Sequence, residues 1–294
     1  MSHYESPAIQ NYYGKGAVTM SKRTYQVMDC LRSLDLRSGN FVPSARTRIG
    51  GSHDGDVDYG HDCKSIYEYD NFGLLWVKQE PGVDSPYNDY VFHPGADEIE
   101  LTVEGECIMR YADGEGGPLV PGVCTYIPAG VPHGNHHPGI EDVVLLVFYP
   151  KPISQVGRGD HKMGEPYTGG KKHEMINFYE APAQEIAPGH FVTELCKGHG
   201  IRAAYHRLAP GCSVPVRDFI TKDSDEIVFV FRGTGLAVYP DKSYAMRRHI
   251  AFYNTPHTPY RYWNNSDSDL QLIVLHAADI DKEIKTETRS FQWE

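Results

Sequence analysis

The chain contains one pattern of short β-rich runs twice, and this repeat restricts its fold more than any other feature. The tripeptide Asp-Glu-Ile at residues 97–99 recurs at 225–227, and each glutamate is followed by a glycine after six intervening residues. A Pro-Gly pair at 81–82 recurs in the same way at 210–211. The offset stays near 128 residues. Solenoid repeats have periods of roughly 20–50 residues, so this longer repeat predicts two copies of one domain.

Nearly all periodic segments have the pattern of β-strands. Short runs rich in Val, Ile, Tyr and Phe alternate with clusters of Gly, Pro, Asn and Asp, as is typical of a barrel or sandwich. The main helical signal is the apolar spacing within residues 21–34. The predicted strands cover residues 72–79, 98–103, 107–111, 123–127 and 143–149 in the first copy, and 203–208, 226–231, 236–239, 250–254 and 270–276 in the second. We therefore predict an all-β chain of two tandem barrels with few short helices.

The repeat divides the chain into five segments. An N-terminal extension with one short helix, residues 1–70, precedes a first barrel at 71–150. Residues 151–190 begin with a stretch rich in glycine and proline that shows no periodicity, which predicts a linker in preference to a lid. A second barrel at 191–278 follows, and residues 279–294 form a charged tail.

The charge balance argues against two classes of partner. The 294 residues include 28 basic and 39 acidic ones, and the net charge of −11 at pH 7 disfavours nucleic acid and anionic membranes. No apolar run approaches the roughly 20 residues that cross a bilayer, and the N-terminus has no apolar signal core. The six cysteines form no C-x-x-C pair, as expected for reduced thiols. We expect a cytoplasmic protein that binds a small molecule.

The stretch between residues 93 and 137 has the spacing of a metal site. It contains His93, Glu98 and, after a Pro-x-Gly turn, His133. Imidazole nitrogens and a carboxylate oxygen suit Fe, Mn, Ni or Zn, and two histidines with one carboxylate are the ligands of non-haem Fe(II) oxygenases. Alternate residues of a strand face the same way, so ligands from neighbouring strands converge inside a small barrel. These three residues are the predicted metal ligands.

The same motifs resemble those of the cupin family. The first cupin motif is matched at Gly82, His93, Glu98 and Gly105, and the second at Gly122, Pro128, Gly130 and His133. Two positions depart from the family: Val91 stands where the motif has its first histidine, and His137 stands where it usually has asparagine. The resemblance covers residues 72–149 and 203–276 and implies a double-stranded β-helix, or jelly-roll, barrel in each copy.

The resemblance also implies a function. The chain is similar to two-cupin, Fe(II)-dependent dioxygenases that cleave the rings of hydroxylated aromatic acids, such as 3-hydroxyanthranilate, gentisate and homogentisate dioxygenases. Three protein ligands on an octahedral ion leave positions for a chelating substrate and for O2. Fe(II) is the expected cofactor, with Mn, Zn or Ni as alternatives, and a small-molecule substrate and O2 are the expected partners. Asn88 and Tyr90 remain open as a fourth ligand near Val91.

Four further residues are candidates for roles near the metal. His136 and His137 are alternatives to His133 as ligand, and both are candidates for acid or base catalysis, with His137 preferred. Arg110, at the end of a predicted strand, is a candidate for binding a substrate carboxylate through its planar guanidinium. Glu100, two residues beyond the predicted ligand glutamate, either supports the site or faces solvent.

The second copy lacks most of these ligands. Phe219 and Thr221 stand at the histidine positions of the first motif, and Tyr260 stands where the first copy has His133. Only Glu226 is retained, and one glutamate does not hold such an ion. The second barrel is therefore expected to be structural. The sequence leaves the oligomeric state open, and homo-oligomers that pair exposed sheet edges are compatible with it.

Two other functions remain compatible with the sequence. Zn or Mn at the same ligands is suited to Lewis-acid catalysis in an isomerase or lyase of a sugar acid or another oxo acid. A non-catalytic sensor or storage protein is a third possibility, which the retained ligand set disfavours. His53 and His61 form a weaker metal candidate in a polar stretch for which a loop is the preferred interpretation, and His206 is expected to be a hydrogen-bonded interior residue.

Overall fold

The chain folds almost wholly into β-strands. The computed structural model describes residues 25–32, 34–37, 46–48, 61–69, 72–82, 84–85, 89–112, 114–198, 200–214, 219–221, 224–256, 258–277 and 286–288. Its strands are β1 (Tyr25–Asp29), β2 (Leu34–Asp35), β3 (Arg46–Arg48), β4 (His61–Tyr69), β5 (Phe72–Gln79), β6 (Asp84–Ser85), β7 (Asp89–Phe92), β8 (Glu98–Glu104), β9 (Cys107–Tyr111), β10 (Gly114–Leu119), β11 (Val123–Ile127), β12 (His133–His136), β13 (Val143–Tyr149), β14 (Gly159–Lys162), β15 (Glu174–Asn177), β16 (Gln184–Ala187), β17 (His190–Gly198), β18 (Ile201–Leu208), β19 (Ser213–Val214), β20 (Phe219–Thr221), β21 (Asp225–Arg232), β22 (Thr234–Val238), β23 (Ser243–Arg247), β24 (Ile250–Asn254), β25 (Arg261–Trp263), β26 (Leu270–Ala277) and β27 (Thr286–Thr288). One helical turn, α1 (Ile153–Val156), is the only helix in these ranges. The all-β prediction is confirmed, and all ten predicted strands are present with small differences at their ends.

The strands form two pairs of antiparallel sheets, and each pair encloses a barrel. The first barrel consists of a seven-stranded sheet, β15-β11-β8-β13-β5-β4-β3, and a six-stranded sheet, β10-β9-β12-β7-β14 with β6 beside β12. The second barrel consists of an eight-stranded sheet, β16-β17-β18-β26-β21-β24-β1-β2, and a four-stranded sheet, β19-β25-β22-β23. Strands β20 and β27 pair separately.

The two large sheets pack back to back around a shared apolar core. Trp76 and Phe148 from the first barrel lie in this core with Phe229 and Leu275 from the second. Successive residues of a strand point to opposite faces. The side chains on one face of a central strand therefore pack in this shared core, and those on the other face pack inside its own barrel. All seven residues of β13 are buried for this reason. Burial on both faces accounts for the continuous apolar runs of the sequence.

The helix predicted within residues 21–34 is wrong where that segment is described. Residues Tyr25–Asp29 form β1, which pairs along its whole length with β24 of the second barrel. All five side chains are buried, which an extended strand inside a sheet achieves and a helix with one apolar face does not. Tertiary pairing therefore outweighs the weak helical periodicity.

The segment predicted as a linker is instead part of both barrels. Strand β14 pairs with β7 and β15 with β11, both in the first barrel, whereas β16 pairs with β17 of the second. The pairing of β15 with β11 is the counterpart of β1 with β24, because β11 and β24 correspond in the repeat. The strand preceding each barrel thus completes the sheet of the other one.

The chain ends are described only in part. Within the tail, Thr286–Thr288 forms β27 against β20. His61 begins β4, which corrects the loop expected there, and His53 lies outside the described residues. No helix in the described ranges has the length and apolar character needed to cross a membrane.

Candidate metal centre

His93, Glu98 and His133 meet at one end of the first barrel. His93 directly follows β7, Glu98 begins β8 and His133 begins β12. Their candidate ligand atoms all lie within 4.8 Å of one another, and no other such group occurs in the part of the chain that the structure describes. Glu98 and His133 are buried, whereas His93 is partly exposed. The structure therefore brings together the three residues that the sequence predicted as ligands.

The distances within this cluster suit a metal ion. The Nε2 atoms of His133 and His93 lie 3.1 and 3.5 Å from Glu98 Oε2. Two ligand atoms bonded to one ion at about 2.1 Å and at right angles are about 3.0 Å apart. Glu98 Oε2 is also buried and makes no well-directed hydrogen bond. A buried carboxylate oxygen without a partner, facing two imidazole nitrogens, is the arrangement that a bound divalent ion would satisfy.

Backbone carbonyls fix the orientation of both imidazole rings. His93 Nδ1 lies 2.8 Å from the carbonyl oxygen of Gly157, and His133 Nδ1 lies 2.9 Å from that of Val131. A carbonyl oxygen only accepts, so Nδ1 carries the proton in each ring. In the neutral ring Nε2 is then the nitrogen with a free lone pair, which is the form a histidine takes when it binds a metal.

The cluster holds a charge that a metal would compensate. Although burial opposes its ionisation, the neighbouring His133 and His93 lower the pKa of Glu98. Burial likewise opposes protonation of His133, but the Glu98 carboxylate and its close contact raise the pKa of that ring. Without metal the pair is therefore held as a carboxylate beside an imidazolium, and a cation binding here would displace the proton from His133.

Val91, which stands where the cupin motif has its first histidine, lies beside the cluster. Val91 is directly opposite His133 across β7 and β12, so both side chains lie on the same face. Tyr90 is on the other face of β7, with its ring 6.4 Å from that of His161, and so does not serve as the fourth ligand considered above. Asn88 lies outside the described residues.

Tyr149 belongs to the site, although the sequence did not single it out. Its hydroxyl donates a hydrogen bond of 2.8 Å to Glu98 Oε1 and lies 3.3 Å from His93 Nε2. It is the last residue of β13, whose alternate residues Val143, Leu145 and Val147 face the interior of the first barrel. A polar group at the end of this inward-facing series was the signal available in the sequence.

We expect Tyr149→Phe to weaken metal binding about tenfold or more without unfolding the protein. Loss of the hydroxyl leaves Glu98 Oε1 without its donor, and hydrogen bonds that orient ligands typically contribute factors of about 10–100 to metal affinity. Competition with a chromophoric chelator measures this affinity.

Tyr260→Phe is the matched control for this variant. It removes the equivalent tyrosine–glutamate hydrogen bond in the second barrel and is expected to leave metal affinity unchanged. Equal affinities in the wild type and Tyr149→Phe would show that the hydroxyl does not support the site.

Behind Glu98 the first barrel is lined by buried polar groups. Glu100, Thr102, Thr125 and Asn135 are all buried, and each has a side-chain oxygen without a hydrogen-bond partner. Burial and the nearby Glu98 raise the pKa of Glu100 to about 8. Glu100 thus lies inside the barrel beside the cluster and does not face solvent.

His137, for which a catalytic role was predicted, is held by its own loop. Its Nε2 donates to the carbonyl of Glu141 at 2.7 Å, and its Nδ1 accepts from the amide of Gly139 at 3.3 Å. Asn264, the corresponding residue of the second copy, donates in the same way to the carbonyl of Ser268, also four residues further on. Both side chains close the same turn, so both ring nitrogens of His137 are committed to structure.

The structure also separates His136 and Arg110 from the cluster. His136 lies on the face of β12 opposite to His133 and Asn135, since successive side chains alternate. Arg110 alternates in the same way with Met109 and Tyr111, which face the core of the first barrel. Neither the catalytic role predicted for His136 nor the substrate-binding role predicted for Arg110 is supported by these positions.

In the second barrel, hydrogen bonds from other side chains satisfy both oxygens of the glutamate. In the first barrel, Oε2 of Glu98 has no such hydrogen bond. Glu226 accepts hydrogen bonds of 2.8 Å from Asn254 at Oε1 and from Tyr260 at Oε2. His276 Nε2 lies 3.7 Å from the same Oε2. Tyrosine and histidine have exchanged places between the copies, because Tyr260 corresponds to His133 and His276 to Tyr149. The side chains of Phe219 and Thr221 are not described.

Solved structures with the same architecture are numerous but distant in sequence. No protein-family model matches the chain, and no curated protein matches it. Salicylate 1,2-dioxygenase from Pseudoaminobacter salicylatoxidans, in an adduct with gentisate, is 14% identical with a TM-score of 0.56, covering 70% of this chain and 68% of that one. A putative glyoxylate-induced protein from Pseudomonas aeruginosa is 12% identical with a TM-score of 0.58, covering 93% and 92%.

Oxalate decarboxylase from Bacillus subtilis is 13% identical with a TM-score of 0.54, covering 80% of this chain and 76% of that one. At identities this low the likeness concerns the fold and not the activity. The arrangement of antiparallel sheets and the likeness to these proteins show that the chain has the cupin fold.

Proposed function

We propose that the first barrel is a non-haem Fe(II)-dependent dioxygenase that cleaves a hydroxylated aromatic acid or a related chelating molecule. The observation that carries this proposal is the cluster of only three ligand residues, with Val91 opposite His133 where a fourth ligand would stand. Two histidines and one carboxylate leave open positions on an octahedral ion, and such positions are needed when substrate and O2 bind together.

The surroundings of His133 suit a flat ring. His133 is directly opposite Val91 on one side and Tyr111 on the other, so an apolar and an aromatic side chain flank it on the same face. Tyr111 is itself stacked on His173, with ring centroids 3.4 Å apart and planes 7° from parallel. Aromatic and apolar walls favour a planar aromatic ligand, which they orient at little entropic cost.

The protein groups have separate tasks in this proposal. When bound, iron would supply the redox chemistry that joins O2 to the ring. His93 and His133 present Nε2 because the carbonyls of Gly157 and Val131 hold their other nitrogens. Tyr149 fixes the Glu98 carboxylate, so that Oε2 remains directed at the two imidazoles. The fold likeness to a dioxygenase solved as an adduct with gentisate is compatible with this proposal, but it concerns the fold alone.

Anaerobic loading with Fe(II), followed by oxygen-electrode measurements, tests this proposal. We expect O2 uptake with at least one member of a panel of salicylate, gentisate, homogentisate, 3-hydroxyanthranilate and catechol. We also expect loss of ring absorbance in proportion to the O2 consumed, as ring cleavage requires. His133→Ala, loaded in the same way, is the negative control.

The result that would contradict the proposal is equally specific. Fe(II)-loaded protein that consumes no O2 with any member of the panel, while Zn- or Mn-loaded protein converts a sugar acid or oxo acid, would replace the dioxygenase with an isomerase or lyase.

A further inference from the structure

Four polar residues form one row across the large sheet of the second barrel. Arg202 is directly opposite His276, His276 is opposite Glu226, and Glu226 is opposite Asn254. Directly opposed side chains lie on the same face of a sheet, with Cβ atoms about 4.5–5.5 Å apart. This row, here called the polar row, faces the interior of the second barrel, because the residue after Glu226 and the residue before His276 lie in the shared core.

The polar row corresponds to the row of the first barrel that contains the metal cluster. There Tyr149 is opposite Gly73, and Glu98 is opposite Ile127. Arg202 therefore takes the place of Gly73, and Asn254 takes the place of Ile127. The second barrel has a cation and an amide where the first has a glycine and an isoleucine, so its row is more polar although its metal ligands are gone.

Arg202 has no counterion in the described part of the chain. Its Nε atom is buried and makes no hydrogen bond. The nearby Glu226 does not form an ion pair with Arg202, since Asn254 and Tyr260 already donate hydrogen bonds to its two oxygens. By contrast, Arg207 on the same strand pairs with Asp269 at 3.1 Å. A partly buried guanidinium without a carboxylate, in a chain of net charge −11, requires an explanation.

His276 and Ser224 add uncharged polar groups beside this cation. Ser224 is buried, and its Oγ lies 3.5 Å from His276 Nδ1. Burial and then the charge of Arg202 lower the pKa of His276 to about 4, so the ring is neutral near pH 7. His276 and Ser224 consequently neither balance nor increase the positive charge of Arg202.

The row next to the polar row is apolar. The next row inward contains Val228, Val274 and Phe252, all buried in the apolar core of the second barrel. The first barrel differs here, since Glu100 and Thr125 continue its polar lining. The polar row therefore has no polar continuation in the adjacent row of the second barrel.

We propose that Arg202, His276 and Ser224 form a binding site for the carboxylate or phosphate group of a small molecule. A guanidinium presents two parallel N–H donors that match either oxyanion, and the buried Nε–H of Arg202 would gain the acceptor that it lacks. The hydrogen-bonded pair of Ser224 and His276 supplies one further O–H or N–H donor at the same end of the barrel, since one of its two protons bridges the pair. The site is separate from the metal cluster and does not depend on the dioxygenase proposal.

Ligand titrations of the full-length, chelator-treated protein test this site. Sodium benzoate and sodium phosphate are the probes, each compared with sodium chloride at equal ionic strength, and calorimetry or the thermal midpoint reports binding. We expect at least one probe to bind the wild type, and the one that does identifies the oxyanion class. Arg202→Gln is expected to bind that probe about tenfold more weakly or worse, and Arg202→Lys to be intermediate because it keeps the charge without the fork.

Arg207→Gln is the matched control. It removes one positive charge from the same strand and breaks the ion pair with Asp269, yet it is expected to bind the probe as the wild type does. The thermal midpoints of the two glutamine variants without ligand show whether Arg202→Gln folds. Oxyanions that bind Arg202→Gln as tightly as the wild type, or that bind the wild type no better than chloride does, would overturn the proposal.

Discussion

Replacing Glu98 with alanine is expected to abolish metal binding, with a loss of affinity of more than about 100-fold. The Oε2 atom of Glu98 is the one atom close to both imidazole nitrogens, at 3.1 and 3.5 Å, so its removal takes away a ligand and the only negative charge in the cluster. Metal content after reconstitution and gel filtration, determined by elemental analysis, measures this effect. Circular dichroism establishes that the fold persists.

Glu226→Ala serves as the matched control in the other barrel. It removes the corresponding glutamate and leaves Asn254 and Tyr260 without their acceptor. We expect normal metal content and a free energy of unfolding lower by about 1–3 kcal/mol, since buried donors lose a partner. Stoichiometric metal in Glu98→Ala would show that Glu98 is not a ligand and would remove the basis of the dioxygenase proposal.

Acidification is expected to destabilise the protein through three histidines inside the second barrel. Burial lowers the pKa of His190 to about 4, of His206 to about 3 and of His276 to about 4. His190 and His206 also contact each other, with Nε2 and Nδ1 3.0 Å apart. Each ring is therefore neutral in the folded chain under conditions in which the unfolded chain, with a pKa near 6.5, already binds a proton.

The lowered pKa values of these three histidines determine whether stability rises or falls with pH. Above about pH 6.5 neither state is protonated and stability does not depend on these groups. As the pH falls below that value the unfolded state gains protons first, so the free energy of unfolding decreases until the folded-state pKa values near 4 are reached. The limit is about 1.4 kcal/mol per pH unit for each histidine. Because His206 and His276 keep some exposure, we expect the three histidines together to contribute about 2–4 kcal/mol per pH unit, and Glu100, whose pKa is raised to about 8, to offset about one histidine's share in the opposite direction.

Urea unfolding of the metal-free protein at pH 7 and pH 5 measures this dependence. His206→Gln keeps a polar side chain but cannot be protonated, so it is expected to reduce the difference between the two pH values by the share of one histidine, at most about 1.4 kcal/mol per pH unit. His161→Gln, at a partly exposed position in the first barrel, is the control. An unfolding free energy that is the same at pH 7 and pH 5 would contradict the prediction.

The metal cluster was predictable because its ligands lie in short local motifs. His93 and Glu98 are five positions apart, and His133 follows a Pro-x-Gly turn, so strand alternation and turn chemistry suffice to direct them inward. The comparison of the two copies also predicted where the cluster lies, because the second copy lacks the histidines that the first copy has. The predicted strands rest on the same local periodicity.

Tyr149, β1 and β15 were not predictable in this way, because their roles depend on partners far along the chain. Tyr149 contacts a glutamate 51 residues away, and β1 pairs with a strand more than 200 residues later. For His137, the spacing from His133 suggested a catalytic role, and the structure adds a contact with a carbonyl four residues away in its own loop. Sequence spacing identifies which residues are near a site but not which hydrogen bonds have already engaged them.

The reciprocal placement of β1 and β15 means that neither barrel is a separable module. A cut anywhere between the barrels leaves at least one sheet without a strand that the other portion of the chain supplies. An ancestral single unit with this topology would have lent its leading strand to a second copy, as a domain-swapped homodimer does. Each barrel therefore depends on the other for a complete sheet, so loss of the histidines from the second copy does not make that copy dispensable for folding.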